Sequence, residues 1–301
     1  MIVFYGEGRL GNQVFQYQAL SHVAKGGERV LAIGLEDLRR VFELLGPQVT
    51  VLTQSGLVKR LWKYLIIPLI LRPMSRFLRL INYACEPMEG SPPGSGPSGV
   101  LSIRSGLLSR VTFVDGGHYQ NASLWPAIWP APLFRVRPEL SAAASRYLNS
   151  ISTDRCRPAF VHVRRGDYRH FVTYGLSDLS LPVRFYSDAI RELRKCIGDR
   201  HLVFVTDDPQ WVDENFRDIG SKTVASFSAA MDFAIMTQCT SGILSNSTFS
   251  LAAAFMLGAP ELLIAPRFWF GFRIQKWIPP RIEVQHGNMR YMSVILEPCQ
   301  S

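Results

Sequence analysis

The chain has 301 residues and a mass of 33.9 kDa, which is enough for two domains or for one large domain with a buried core. Hydrophobic residues make up 47% and charged residues 19%, so the composition excludes a disordered, collagen-like or disulfide-scaffold protein. The net charge of +9 is unevenly distributed, because residues 56–81 contain six cations and no acid. We call residues 56–81 the basic apolar segment.

The first half of the chain is typical of a βαβαβ unit. Short apolar runs predict strands over residues 2–5, 29–33 and 48–52, with helices over about 12–25 and 36–45. After the basic apolar segment, a Pro, Gly and Ser run at 91–99 indicates a surface loop. Strands are predicted at 100–103 and 111–115 and a helix at about 138–149. A polar stretch follows, and we place the boundary between two domains there, giving residues 1–152 and 153–301.

The second half alternates between strands and helices. Strands are predicted over 159–163, 202–206, 223–226, 242–245 and 262–265, with helices over 183–196, 209–216, 229–238 and 249–257 between them. Continuous apolar runs of this length are typical of parallel strands that are buried on both faces. The predicted fold class is therefore α/β, with two Rossmann-type doubly wound domains that face a cleft.

Features that would place the chain in a membrane or in an oxidising compartment are few. Met1 runs directly into a predicted strand, and the longest apolar run of the basic apolar segment, 64–71, is far shorter than the ~20 residues of a spanning helix. The five cysteines are scattered, without a CxxC pair or a histidine at ligand spacing. We expect reduced thiols, no metal site, and a cytoplasmic, bacterial protein.

The first motif with chemical meaning is G-x-G-x-x-G at residues 6–11, between a predicted strand and a predicted helix. This context fits a dinucleotide-binding loop, with Glu36 or Asp37 as the acid that binds the ribose, and it also fits a tight turn that requires glycine. The amides that follow, Asn12, Gln13 and Gln16, are suited to holding a phosphate or a sugar hydroxyl.

The second motif, His162 to Tyr168 (HVRRGDY), stands at the end of a buried strand. Arg164 and Arg165 need partners there, since an unpaired buried charge is costly, and a bound anion is the partner that we expect. A guanidinium fork suits a diphosphate, and Asp167 is placed to pair with one arginine and fix its rotamer. The alternative is an ordinary ion-pair cluster on the surface.

Two later strand ends also carry polar residues. Asp207 and Asp208 follow the strand at 202–206, where capping of the next helix is favoured over a catalytic role. Asp232 lies inside a predicted helix, and Ser247 and Thr248 stand where the last helix begins. Hydroxyls and backbone N–H groups at such a helix start suit a phosphate, and they suit helix capping equally well.

Taken in order, these motifs resemble glycosyltransferase family 11, the α-1,2-fucosyltransferases, within the wider α-1,2, α-1,6 and protein O-fucosyltransferase group. Residues 8–17 (GRLGNQVFQY) look like the amino-terminal element of the family, and residues 162–168 look like its most specific element. Residues 206–208 (TDD) and 246–250 (NSTFS) resemble the two later strand ends. The resemblance extends from residue 6 to residue 269.

This resemblance implies a GT-B-like architecture and a metal-independent, inverting transfer of L-fucose. The donor would be GDP-fucose, and the acceptor would be a glycan hydroxyl, with O2 of a terminal galactose as the expected position. Arg164 resembles the residue that holds the β-phosphate and stabilises the departing GDP, with Arg165 beside it. Asp167 is the candidate base, although orienting an arginine is the role that its position favours.

Further residues take roles from the same resemblance. Asp232 matches the position that pairs with guanine, with His162 nearby in the same role. Ser247 and Thr248 match contacts to the phosphates. Gly11 and Asn12 belong to the amino-terminal element, where Asn12 matches an amide that lies beside donor and acceptor.

Two other functions remain open from the sequence. The glycine loop supports the hypothesis of an NAD-dependent oxidoreductase, but that hypothesis leaves Arg164 and Arg165 unexplained. The basic apolar segment supports the hypothesis of a non-enzymatic, membrane-associated module. Its aromatic residues stand among large aliphatic residues, which favours binding to lipid over binding to nucleic acid. Combined with the enzyme, the segment would dock a cytosolic transferase on an anionic inner membrane surface that carries lipid-linked acceptors. The alternative for the segment is a buried helix whose cations extend to water.

Overall fold

A computed structural model of the chain describes residues 1–24, 28–46, 49–52, 56–86, 102–120, 133–151, 157–173, 175–278, 283 and 288–296. The chain divides into two units, Met1–Val136 and Arg137–Ser301, and each is built around a six-stranded sheet. The predicted α/β class and its two Rossmann-type units are confirmed. The predicted loop 91–99 lies outside the described residues.

The sheet of the first unit has the strand order β4-β2-β1-β7-β5-β6, and its pairs are parallel except β5 with β6. Its strands are β1 (Ile2–Tyr5), β2 (Val30–Ile33), β4 (Val49–Leu52), β5 (Ile81–Cys85), β6 (Ser102–Arg104) and β7 (Leu108–Val114). Its helices span Leu10–Val23, Glu36–Val41 and Gly56–Leu61, followed by wider, π-type helices over Trp62–Leu71 and Pro73–Phe77.

The predicted helix over 36–45 is shorter in the structure and ends at Val41. The chain then forms β3 (Phe42–Leu44), which pairs antiparallel with β8 (Phe134–Val136). The rings of Phe42 and Phe134 lie 4.8 Å apart between centroids and are buried. A packing partner about ninety residues away therefore overrides the local helical pattern.

The basic apolar segment is helical over residues 56–77 and packs on the first sheet with one face. Trp62, Ile67 and Leu71 on this face contact a cluster that includes Ile81 and Phe113. In the part of the chain that the structure describes, no helix combines the length and the apolar character needed to cross a membrane.

All strand pairs of the second sheet are parallel, in the order β11-β10-β9-β12-β13-β14. Its strands are β9 (Ala159–Val163), β10 (Leu202–Thr206), β11 (Lys222–Ala225), β12 (Ser241–Ile243), β13 (Leu262–Pro266) and β14 (Met289–Met292). Its helices span Pro138–Ile151, Val183–Ile197, Pro209–Asn215, Ala229–Met236 and Thr248–Phe255, with 3₁₀ turns over Asp167–Arg169 and Trp269–Arg273. The strand order reverses between β9 and β12, which makes that position the topological switch point of the sheet.

The division between the units lies earlier in the chain than the predicted boundary near residue 152. The helix Pro138–Ile151 packs against the helix Ala229–Met236 of the second unit. Ser145 Oγ donates to Gln238 Oε1 at 2.6 Å, and Gln238 Nε2 donates to the Ser141 carbonyl oxygen at 2.7 Å. This helix therefore belongs to the second unit.

Candidate functional site

The motifs of the second unit converge at one edge of its sheet. Arg164 and Arg165 follow β9, Asp207 and Asp208 follow β10, and residues 244–247 follow β12. Because β9 is hydrogen-bonded to both β10 and β12 in parallel, these strand ends lie side by side. In open α/β sheets, ligands bind outside the carboxyl ends of the strands at the switch point.

Arg164 lies between two carboxylates. Its Nη2 is 2.6 Å from Asp167 Oδ1, and its Nη1 is 2.8 Å from Asp207 Oδ2. Its guanidinium carbon stands 5.6 Å from the centre of the Tyr168 ring. Asp167 thus pairs with one of the arginines, as the sequence predicted. The side chain of Arg164 keeps 18% of its surface exposed, so a ligand at the edge of the sheet can reach it.

Arg165 is held by the helix that follows β10. Its Nε donates to Asp208 Oδ2 at 3.3 Å, and its guanidinium carbon stacks 4.2 Å from the centre of the Trp211 ring. Its backbone N–H donates to Asp207 Oδ1 at 2.9 Å. Asp208 also accepts from the Trp211 backbone N–H at 3.2 Å, so the predicted capping role is confirmed. Trp211 was not expected as a partner from the sequence.

The two arginines and three aspartates leave this cluster with one net negative charge. We expected a bound anion as the partner of the arginines, but carboxylates already fill that position. A diphosphate that binds here must therefore compete with a carboxylate. Asp167 has 43% of its side chain exposed against 28% for Asp207, so Asp167 is the easier of the two to displace from Arg164.

His162 lies beneath this edge of the sheet and is 4% exposed. Its Nδ1 is 2.8 Å from Ser245 Oγ, and its ring lies 5.5 Å from that of Phe249. Burial, with a smaller contribution from the charge of Arg164, lowers the pKa of His162 to about 3. His162 is therefore a neutral imidazole that hydrogen-bonds to the neighbouring strand end.

The start of the helix Thr248–Phe255 forms the next part of the edge. Ser247 caps this helix, because its Oγ accepts from the Phe249 backbone N–H at 3.3 Å. Tyr168 Oη donates to the Asn246 carbonyl oxygen at 3.2 Å, and burial raises the pKa of Tyr168 to about 12. Tyr168 thus connects the turn after β9 to this helix, and Thr248, at the first helical position, is partly exposed.

Asp232 lies in the first turn of the helix Ala229–Met236 and is 8% exposed. Its Oδ1 accepts from the Phe227 backbone N–H at 3.1 Å. Burial raises the pKa of Asp232 to about 6, and the hydrogen bond from Phe227 opposes that shift. Phe227 is 53% exposed, so an accessible aromatic residue stands next to a buried carboxylate. The sequence analysis missed Phe227, because a single aromatic residue in a loop carries no pattern.

Gly11 and Asn12 belong to the first unit. Gly11 is buried in the first turn of the helix Leu10–Val23, and Asn12 Oδ1 accepts from Gln120 Nε2 at 2.9 Å. Gly8 has a φ of 88°, a conformation that favours glycine, which explains the tight turn before this helix.

The other two amides of this motif hold protein backbone. Gln13 is 2% exposed, and its side chain donates to the Gly8 carbonyl oxygen and accepts from the Leu38 N–H. Gln16 is 1% exposed and donates to the carbonyl oxygens of Glu7 and Gly117. The expectation that Gln13 and Gln16 hold a phosphate or a sugar hydroxyl is therefore wrong.

The acids expected to bind a nucleotide ribose already have protein partners. Glu36 forms an ion pair with Lys59 at 2.9 Å, and its side chain is 11% exposed. Asp37 accepts from Gln13 Nε2 at 3.3 Å and pairs with Arg40 at 3.4 Å. Within the described ranges, no group of three or more His, Cys, Asp or Glu side chains is arranged to hold a metal ion.

Comparisons with known proteins show what the chain is similar to. Residues 133–274 match the family model described as "Glycosyl transferase family 11". The "O-antigen biosynthesis glycosyltransferase WbnK" of Escherichia coli is 25% identical over 146 residues, which are 46% of this chain and 48% of that protein. The "Galactoside alpha-(1,2)-fucosyltransferase 2" of Pongo pygmaeus is 24% identical over 277 residues, covering 86% of this chain and 69% of that protein.

A solved structure shows the same fold. The crystal structure of the NodZ α-1,6-fucosyltransferase soaked with GDP-fucose superposes with a TM-score of 0.51 at 14% identity, over 85% of this chain and 92% of that chain. The chain spans about half the length of WbnK, whereas the alignment with the Pongo protein covers 69% of that protein.

Proposed function

Because residues 133–274 match the model of glycosyl transferase family 11, we propose that the chain transfers L-fucose from GDP-fucose to a glycan hydroxyl. The preferred position is O2 of a terminal galactose, by analogy with the Pongo α-(1,2)-fucosyltransferase. The observation that carries the proposal is the pair Arg164 and Arg165 at the switch point of the second sheet, inside the matched region. The catalysed reaction is an inverting displacement that needs no metal.

Arg164 and Arg165 serve the leaving group. As the bond between the anomeric carbon and the β-phosphate oxygen breaks, negative charge grows on GDP, and fixed cations lower the energy of that state. Both guanidinium groups are oriented before any ligand arrives, by Asp167 and Asp207 on one side and by Asp208 and Trp211 on the other. Ser247 and Thr248 add a helix start, where backbone N–H groups favour phosphate.

Asp232 serves the guanine base. A guanine ring presents two adjacent N–H donors, from N1 and from the exocyclic amine, and an ionised carboxylate accepts both. Phe227 supplies an exposed ring beside that carboxylate on which the base can stack. Uracil lacks the pair of donors, so this arrangement favours GDP over UDP.

Asp167 is our candidate for the base that takes the proton of the acceptor hydroxyl. In the structure it is ion-paired with Arg164, which supports a positioning role more directly. Displacement of Asp167 by the β-phosphate would free its carboxylate near the reacting centre, which reconciles the two roles. By the family resemblance, Asn12 is proposed to contact donor and acceptor, with Gly11 beside it.

A galactose-terminated oligosaccharide or a lipid-linked glycan is the proposed acceptor. The relatives from Escherichia coli and Pongo pygmaeus are named for an O-antigen and a galactoside, which supports this class. The predicted location at the inner surface of a bacterial membrane stays a prediction. The relatives and the solved structure named above are glycosyltransferases, which favours fucosyl transfer over the oxidoreductase.

Calorimetric titration with GDP tests the donor site, with NADH as the competing ligand. We expect the wild type to bind GDP without added metal, and Arg164→Ala to bind it at least about tenfold more weakly, since a hydrogen bond to a charged group contributes about 1.5–3 kcal/mol. Arg191→Ala is the matched control, because Arg191 is an exposed arginine of the same unit. Binding of NADH without binding of GDP would refute the proposal.

A further inference from the structure

The outer face of the basic apolar segment exposes an unusual amount of apolar surface. Among the described residues, ten of the eighteen exposed large hydrophobic side chains lie in residues 57–78 and at 107–108. We call these ten the apolar patch, and its six most exposed members have between 63% and 81% of their surface in contact with solvent: Leu57, Tyr64, Leu69, Phe77, Leu78 and Leu107. Contiguous exposed apolar surface of this kind marks an interaction site.

The two stretches belong to one surface. The backbone N–H of Leu107 donates to the Arg79 carbonyl oxygen at 2.7 Å, and that of Leu108 donates to the Leu80 carbonyl oxygen at 2.7 Å. The loop before β7 is thus hydrogen-bonded to the end of the segment. The patch therefore extends across both stretches.

The basic apolar segment has packing partners on its inner face, although its outer face is exposed. Trp62, Ile67, Leu71 and Met74 pack in the cluster under the segment, whereas Tyr64, Leu65, Leu69 and Ile70 are exposed. A surface helix is ordinarily polar on its outer face. Residues 62–71 are instead apolar on both faces, and only one of them is covered by the first sheet.

The charge of the segment favours one kind of occupant for the outer face. Arg72 and Arg76 share Asp115, but each side chain is still 47% exposed. Arg60 and Arg79 are exposed and form no ion pair with any described residue. Lys59 and Lys63 are paired with Glu36 and Glu7, so the excess positive charge of this surface comes from Arg60, Arg79 and the two arginines that share one aspartate. A second copy of the chain would bring two such positive surfaces together, whereas an anionic bilayer offers phosphates to the arginines and hydrocarbon to the leucines.

We propose that the apolar patch and the surrounding arginines bind the surface of an anionic membrane. The exposed leucines and aromatics enter the boundary between headgroups and acyl chains, and Arg60 and Arg79 contact lipid phosphates. This function goes beyond fucosyl transfer and does not depend on it. An enzyme attached in this way would meet acceptors that are themselves anchored in the bilayer.

Flotation of the full chain with lipid vesicles tests the proposal. The probe vesicles contain phosphatidylcholine with roughly 30 mol % phosphatidylglycerol, and the comparison vesicles contain phosphatidylcholine alone. We expect binding to the anionic vesicles, weakened about a hundredfold by Leu69→Ser combined with Phe77→Ser, at about tenfold for each partly inserted side chain. Arg60→Gln and Arg79→Gln should each weaken binding about fivefold, and high salt should remove that difference.

Leu45→Ser and Arg217→Gln are the matched controls, because Leu45 and Arg217 are exposed and lie outside the patch. Both should bind vesicles like the wild type, and circular dichroism should show all variants folded. Wild-type protein that stays unbound, or patch variants that bind as tightly as the controls, would overturn the proposal. So would a wild-type dimer that the patch variants convert to monomers without any effect on vesicle binding.

Discussion

Replacement of Asp232 by Asn provides the sharpest test of the proposed donor site. The carboxyl group of Asp232 is buried, its pKa is raised to about 6, and one of its oxygens accepts from the Phe227 N–H. Asn has the same shape, and its carbonyl oxygen can keep that hydrogen bond. The substitution therefore removes the charge while the turn before the helix Ala229–Met236 keeps its geometry.

The expected pH dependence follows from the direction of the shift. Guanine donors bind the ionised carboxylate, so GDP binding strengthens as the pH rises through about 6 and becomes constant above about 7. With a pKa of about 6, roughly nine tenths of the protein carries the carboxylate at pH 7 and roughly one tenth at pH 5. The affinity of the wild type should fall about tenfold across that range through this group alone.

Calorimetric titration with GDP from pH 5 to pH 8 measures the effect. The terminal phosphate of GDP also titrates near pH 6, so the slope attributable to Asp232 is the difference between wild type and Asp232→Asn. At pH 7 the variant should bind GDP about tenfold to a hundredfold more weakly, the loss of a charged hydrogen bond. Asp213→Asn is the control, since Asp213 is 66% exposed on another helix of this unit. Identical pH slopes in wild type and Asp232→Asn would refute the assignment of guanine to Asp232.

Three further substitutions test the cluster and the first unit. Asp208→Ala should lower the free energy of unfolding by about 1 kcal/mol in denaturant titration, because the helix cap is lost. Asp208→Ser should recover most of that stability, since serine can also cap the helix. Equal losses in the two variants would show that the ion pair with Arg165 contributes more than the cap. Asp167→Asn should tighten GDP binding about fivefold, because the substitution removes about 1 kcal/mol of repulsion between an exposed carboxylate and the diphosphate. The turnover of the variant should fall. Weaker GDP binding would contradict the competition between carboxylate and phosphate for Arg164. Gly8→Ala should destabilise the chain by at least about 1 kcal/mol in thermal unfolding, since its φ is 88°, and an unchanged midpoint would contradict the strain.

Much of the second unit is predictable because each strand is a short apolar run between polar or glycine residues. The runs at 159–163 and 202–206 match β9 and β10 without error. β14 (Met289–Met292) escaped prediction, since it is an edge strand with half-buried residues and an arginine inside it. The short strand Phe42–Leu44 escaped as well, because its partner β8 lies far along the chain.

In the candidate site too, positions within one strand end could be predicted, whereas contacts between strands could not. The order of motifs along the chain placed Arg164, Asp208 and Ser247 at strand ends, where the structure has them. The sequence could not show that Asp207 from the neighbouring strand pairs with Arg164, since that contact depends on the strand order. The roles of Gln13 and Gln16 were missed for a similar reason, because an amide gives no indication of whether it holds backbone or ligand.

The packing of Arg165 on Trp211 has a consequence for the thermodynamics of ligand binding. A free arginine side chain has about 2 kcal/mol of rotamer entropy, which it loses when a ligand fixes it. In this protein the stacked ring and Asp208 restrict the rotamers of Arg165 when the chain folds. The binding of an anion to Arg165 therefore costs little further rotamer entropy, because folding has already restricted this side chain, and the affinity for the anion is higher as a result. Removal of the indole ring would make the binding entropy less favourable even if every contact to the anion were kept.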